Sequence, residues 1–202
     1  MVKMEKLKHY IALAEIFKYP TPNGNNFISE WRKIIKDKAP EMAPRLGAFV
    51  DHIQSKTISA RQEFYIATFD VQALCYLDIG YVLYGEDYNR GVFLMNMKKE
   101  QGKAGNDYGK ELPDHLPNVL TLLPKLKDEA FAEELVVSMV IPALGKMIES
   151  FLAKGNVYKG MLEALLKIME NDFPHSEYER FNFSTQEKTT SFECLPQWMN
   201  IK

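Results

Sequence analysis

The residues best suited to chemistry lie in one seven-residue run, Glu111-Leu112-Pro113-Asp114-His115-Leu116-Pro117. A carboxylate and an imidazole stand side by side there, bracketed by two prolines. Each proline fixes its own φ and lacks a backbone donor, so no helix runs undisturbed through the pair. Three uses fit an Asp-His pair held this rigidly: ligating a metal, activating a nucleophile, or making charge-assisted hydrogen bonds to a ligand.

Residue spacing argues against the first two uses. The four histidines, His9, His52, His115 and His175, are far apart in sequence. No His-x-x-x-His, Cys-x-x-Cys or Glu-x-x-His pattern accompanies them. A metal-dependent phosphohydrolase of the HD type needs a His-Asp dipeptide on a helix, with an upstream His and a downstream Asp. Here the order is reversed at both Asp51-His52 and Asp114-His115, which leaves the HD-like hydrolase as the alternative reading. Serine elbows of the Gly-x-Ser-x-Gly type are missing. Gly102, Gly105 and Gly109 surround Lys103, but no strand precedes them as a phosphate loop requires. The expectation is a protein that is not an enzyme, with no metal site and no cofactor of its own.

The third use finds companions. Tyr65 and Phe69 lie four apart and share a helix face, with Asp70 at the end of that helix. Glu111 and Asp114 add negative charge, and His115 changes charge near neutral pH. A basic peptide laid over these groups gains charge-assisted hydrogen bonds of about 1.5–3 kcal/mol each. Each residue also has a structural explanation. Tyr65 and Phe69 suit a core, Asp114 suits a cap for the helix starting near Pro117, and Arg90 suits an intramolecular partner for Asp114.

Elements that position these groups follow from periodicity. With 202 residues, 46% of them apolar and 26% charged, the chain is long enough to bury a sizeable core. A net charge of -2 excludes a basic nucleic-acid face. Apolar residues recur at helical spacing nearly throughout. Helices are expected over about 4–18, 26–38, 41–55, 60–69, 72–84, 88–102, 117–126, 128–152 and 156–171. Ser59 with Gln62 reads as a capping box for the fourth, and the fifth reads as the centre of the core. Asp87 reads as a cap for the sixth, and Pro142 should kink or divide the eighth. The architecture is therefore all-α: a single bundle of about nine helices over 1–172, with an irregular tail over 173–202 packed back through its aromatic rings. Cys75 and Cys194 make no disulfide framework. Residues 1–19 read as a charged amphipathic segment rather than a signal or anchor, and no stretch approaches the ~20 apolar residues of a membrane span. A cytoplasmic, reduced protein without membrane insertion is expected.

Four segments together resemble a known family. They are Ala14-Glu15-Ile16-Phe17-Lys18-Tyr19-Pro20, Tyr65-Ile66-Ala67-Thr68-Phe69-Asp70, Gly85 through Arg90-Gly91, and Glu111 through Pro117. In order and spacing, over about residues 7–126, the chain resembles the cytoplasmic assembly chaperones of molybdenum-containing reductases (the NarJ, TorD and DmsD group). The resemblance implies an all-helical fold without catalysis. It also implies a partner: the catalytic subunit of a molybdenum-containing oxidoreductase, bound by its N-terminal segment, often a twin-arginine signal or its remnant. The chaperone holds that subunit until the molybdopterin cofactor is inserted. In relatives the Asp-His pair is implicated in peptide binding, a role that carries over to Asp114 and His115. Glu111, Pro113, Tyr65 and Phe69 join them as candidate peptide-binding residues, with Asp70, Arg90, Gly91 and Pro117 in support. The expected state is a monomer or weak homodimer.

Overall fold

The computed structural model describes residues 7–22, 27–152, 155–174 and 176–183. Expectations that fall on His175, Cys194 and the tail beyond residue 183 lie outside the described residues. Among the described residues ten α-helical stretches follow one another: α1 (His9–Ala14), α2 (Phe27–Lys38), α3 (Ala43–Gln54), α4 (Ile58–Phe69), α5 (Ile79–Tyr84), α6 (Tyr88–Lys103), α7 (Leu116–Leu122), α8 (Glu129–Glu134), α9 (Ile141–Glu149) and α10 (Val157–Asp172). α8 and α9 form one rod, joined by a wide π-type turn over Leu135–Val140. The fold is all-α; among the described residues the one β-type pairing is an isolated antiparallel bridge between Asp78 and His115.

α10 packs along α3 and α9, α1 lies on α7, and α5 rests against α6 and α9. Between them lies one apolar core with Tyr10, Phe17, Trp31, Phe93, Met97 and Leu120 at or near zero exposure. Helix ends are fastened by polar side chains. Asp87 accepts from the Asn89 amide at 2.8 Å, Asp128 from Phe131 at 3.0 Å and Asn156 from Tyr158 at 3.0 Å. Asp172, at the end of α10, accepts from His9 at 2.8 Å, Tyr10 at 2.9 Å and Lys38 at 2.5 Å, tying the first two helices to the last.

Three expectations need correction. Residues 70–78 are not helical, and α5 is six residues long. Exposure alternates through Leu74 (55%), Cys75 (1%), Tyr76 (42%) and Leu77 (2%), the period of an extended chain rather than a helix. Gln72 sits at φ 50°, and the Cys75 amide bonds back to the Thr68 carbonyl at 3.0 Å. A pairing partner more than thirty residues away overrides the local apolar pattern here. The cap of α4 is Thr57, whose hydroxyl accepts from Ala60 at 3.3 Å, rather than Ser59. Gln62 is free for another purpose: it donates to the Pro20 carbonyl at 2.9 Å. Among the described residues the first helix also falls short of the expected 4–18, running from His9 to Ala14 with one tighter turn to Phe17; residues 4–6 of that expectation lie outside the described residues.

Pro142 interrupts the regular α-helical bonding of the α8–α9 rod without breaking it, and a π-type turn precedes it. Proline offers no N–H to the carbonyl four residues back, at Ser138. That carbonyl accepts instead from the Phe181 amide at 2.9 Å. The segment 176–183 is thereby held on the body, with Phe181 edge-on to Tyr84 at 5.2 Å.

Candidate functional site

The proline-bracketed run is positioned from beneath by buried amides. Gln101, at 0% exposure on α6, donates to the Pro113 carbonyl at 2.8 Å. Its own carbonyl oxygen accepts from Asn106 at 2.6 Å, and Asn118 donates to the Leu112 carbonyl at 2.9 Å. These bonds satisfy backbone groups that two prolines leave without helical partners.

The loop is stitched from the side to residues 77–80. The Leu116 amide donates to the Leu77 carbonyl at 2.9 Å, and the Ile79 amide to the Asp114 carbonyl at 3.2 Å. Asp114 reaches further: its Oδ2 accepts from the Gly80 amide at 2.7 Å. One residue thus serves the first two amides of α5. Asp78, at the usual capping position of α5, makes no cap bond of its own. Its Oδ1 lies 2.9 Å from His115 Nδ1 instead. The two aspartates have exchanged roles, each reaching into the other's segment. The exchange demands glycine at position 80, where a Cβ would stand 2.8 Å from both Asp114 Oδ2 and a Phe93 ring carbon.

Asp114 is therefore inside the protein, at 0% exposure. Its other oxygen and Arg90 Nε are both buried without a hydrogen-bond partner. Burial pushes the carboxyl up to about 6, against the pull of the Gly80 amide and, more weakly, of the Arg90 charge. Arg90 lies over the Tyr81 ring at 5.0 Å, and Tyr81 meets Tyr76 edge-on at 4.6 Å.

Above the loop lies a groove of ≈ 680 Å³, within the range of ligand-binding clefts. It brings together Tyr65, Phe69, Asp70, Glu111, His115 and Pro117. Tyr65 and Phe69 are both 7% exposed, so each belongs to the core and also surfaces as the groove floor. The Tyr65 hydroxyl donates to the Phe17 carbonyl at 2.9 Å, and its phenol is raised well above the ordinary value, chiefly by burial. Asp114 and Pro113 sit beneath the groove rather than in its lining; Arg90 and Gly91 lie outside it on α6. Asp114 has no surface to offer a ligand directly; its bonds fix the loop that carries His115 against α5.

Sequence reasoning passed over several lining groups: Tyr19, Tyr76, Asp78, Asp107, Tyr108 and Lys110. Tyr19 was visible in Phe17-Lys18-Tyr19-Pro20. Asp78 was hidden because its segment read as helix. Carboxylates outnumber lysines in the lining by four to two, and five aromatic rings accompany them. Such a surface favours a ligand with cationic groups on an apolar or amphipathic body.

No family model matches the chain. The fold and its carboxylate-rich groove define a helical protein with a preformed cleft beside a braced loop. Among curated proteins it is similar to the probable nitrate reductase molybdenum cofactor assembly chaperone NarJ of Bacillus subtilis (strain 168). Identity is 24% over 164 residues, 80% of this chain and 88% of that protein. That similarity agrees with the resemblance carried by the four segments.

Proposed function

We propose that this protein is a cytoplasmic maturation chaperone for the catalytic subunit of a molybdenum-containing oxidoreductase. It binds that subunit's N-terminal segment, a twin-arginine signal or its remnant, and holds it for molybdopterin insertion and assembly. The observation that carries this reading is the groove, with its aromatic floor and excess of carboxylates beside a loop too braced to collapse. The similarity to NarJ supports the choice of client class. A helical segment can lay its apolar side on Tyr65 and Phe69 while its arginines face Asp70 and Glu111. His115, fixed by Asp78 through Nδ1, lines the groove beside them. Binding of this type works by holding rather than by bond making. Micromolar affinity, about -8 kcal/mol, suffices for a client that must later be released.

No described helix is long and apolar enough to cross a membrane, which agrees with this role. Nothing favours the HD-like hydrolase: among the described residues no three His, Cys, Asp or Glu converge as a metal group. Affinity purification of the tagged chain from its native host, with identification of bound proteins, tests the proposal. The expected catch is a molybdoenzyme catalytic subunit whose N-terminal peptide alone binds the purified chain. Capture of that subunit with no binding by its N-terminal peptide would overturn the mode. Capture of no such subunit would overturn the client class.

A further inference from the structure

The groove has a neighbour on the far side of Tyr19. Lys18 and Tyr19 line both the groove and a smaller recess of ≈ 120 Å³. Ile16, Phe27, Phe49, Ile53 and Tyr158 make up the larger, apolar part of the recess lining. Glu15 and Lys18, paired at 2.5 Å, and Arg61 form its polar part. The two spaces share a continuous aromatic wall, since Tyr158 meets Phe49 edge-on at 5.5 Å and Tyr65 at 6.1 Å.

Tyr19 stands between them as a post. The Phe17 carbonyl accepts from the Tyr65 hydroxyl at 2.9 Å, and the Pro20 carbonyl accepts from Gln62 at 2.9 Å. Both tethers come from one face of α4, three residues apart. Pro20 restricts the backbone of Tyr19 further. The main chain is thus fixed on either side of a ring that remains 48% exposed, resting edge-on against Tyr65 at 5.6 Å. A tyrosine whose backbone is anchored and whose ring is half in solvent can swing without disturbing the fold.

We propose that the recess behind Tyr19 is a second compartment of the same site, taking one apolar side chain of the bound segment. The inference rests on the chaperone reading above. Size sets the class of side chain: an apolar cavity of about 150 Å³ admits benzene, so this smaller recess of ≈ 120 Å³ fits a branched aliphatic side chain of about leucine size. Charge sets the division of labour. Asp70 and Glu111 in the groove receive the cations of the segment, and the apolar part of the recess receives the anchor. An amphipathic helix carries both on neighbouring turns, so one segment can fill the two spaces. The anchor makes the site selective for register, because an arginine cannot enter the recess without losing its hydration.

The test uses the labelled N-terminal peptide of the subunit that co-purifies with the chain, read by fluorescence anisotropy. Thr21 is exposed and lines the recess mouth, so Thr21→Trp plugs it without touching the groove. Thr21→Trp should weaken binding about tenfold or more, and so should one apolar-to-Ser change in the peptide. Combined, the two changes should cost no more than either alone, because they remove the same contact. The salt dependence of binding should be unaltered. Unchanged affinity in Thr21→Trp, or losses that add with every peptide change, would overturn the recess while salt-sensitive binding by the parent keeps the groove. If the parent binds no such peptide, groove and recess fall together. The peptide changes need no folding control, so a misfolded variant cannot mask the answer.

Discussion

Asp114 and Asp78 each do the work that sequence position would give to the other. Asp78 stands at the N-terminus of α5 yet holds His115, while Asp114, more than thirty residues further along the chain, supplies the cap. The folded pKa of Asp114, about 6, lies above the ordinary 3.8, so the folded chain takes up a proton that the unfolded chain lacks between those values. That increment of stability is full below pH 3.8 and lost as pH rises through about 6. Asp114→Asn keeps an acceptor for the Gly80 amide and removes the buried charge. It should stabilise the protein by about 1–3 kcal/mol at pH 7.5 and flatten this part of the pH dependence, read by urea unfolding across pH 4–7.5. An unaltered profile would contradict the placement. Asp114→Ala should instead cost about 1–3 kcal/mol by stranding the Gly80 amide. Any loss of peptide affinity in that variant would act through His115. The Asp-His pair was legible as something held rigidly, because prolines act locally. The direction of each carboxylate was not, because it depends on a partner segment more than thirty residues upstream.

Element boundaries were legible where the signals were local. α2, α6 and α10 follow their apolar stripes within a residue or two, and Asp87 caps as its position implies. The errors occur where a distant group outbids a local one. Residues 70–78 carry enough apolar side chains for a helix, but Leu77 and Asp78 pair with the loop and take an extended course. Gln62 could have closed a capping box, but the Pro20 carbonyl claims it. Thr57→Ala should therefore lower stability by about 1 kcal/mol, and Ser59→Ala by less than about 0.5, in thermal unfolding. The reverse order would restore Ser59 as the cap. Phe181→Pro should destabilise the protein more than Phe181→Ala does, because only proline also removes the donor to the Ser138 carbonyl. Equal losses would show that the ring alone matters.

The whole molecule frames the groove through contacts far from it. Asp172 joins α1, α2 and α10, and thereby the segment that leads to Tyr19. Burial pushes its carboxyl up, but hydrogen bonds and charge from His9 and Lys38 outweigh that and hold it below the ordinary value. Its stabilising contribution is present above the ordinary carboxylate pKa and lost as pH falls through the lowered one. Asp172→Asn should thus cost stability at pH 7, with the deficit shrinking at strongly acid pH in urea titrations; a constant deficit would point to packing alone. All-helical architecture was readable from composition and period. The groove was readable only in part, since Tyr65, Phe69, Asp70 and Glu111 meet Tyr19, Tyr76 and Asp78 through tertiary folding. The most direct test of the central claim is calorimetric titration of the co-purified subunit's N-terminal peptide into the parent and Glu111→Lys at low and high salt. Micromolar binding by the parent, weakened by salt and at least tenfold weaker in Glu111→Lys at low salt, is the predicted result. Equal affinity in both proteins, insensitive to salt, would contradict it.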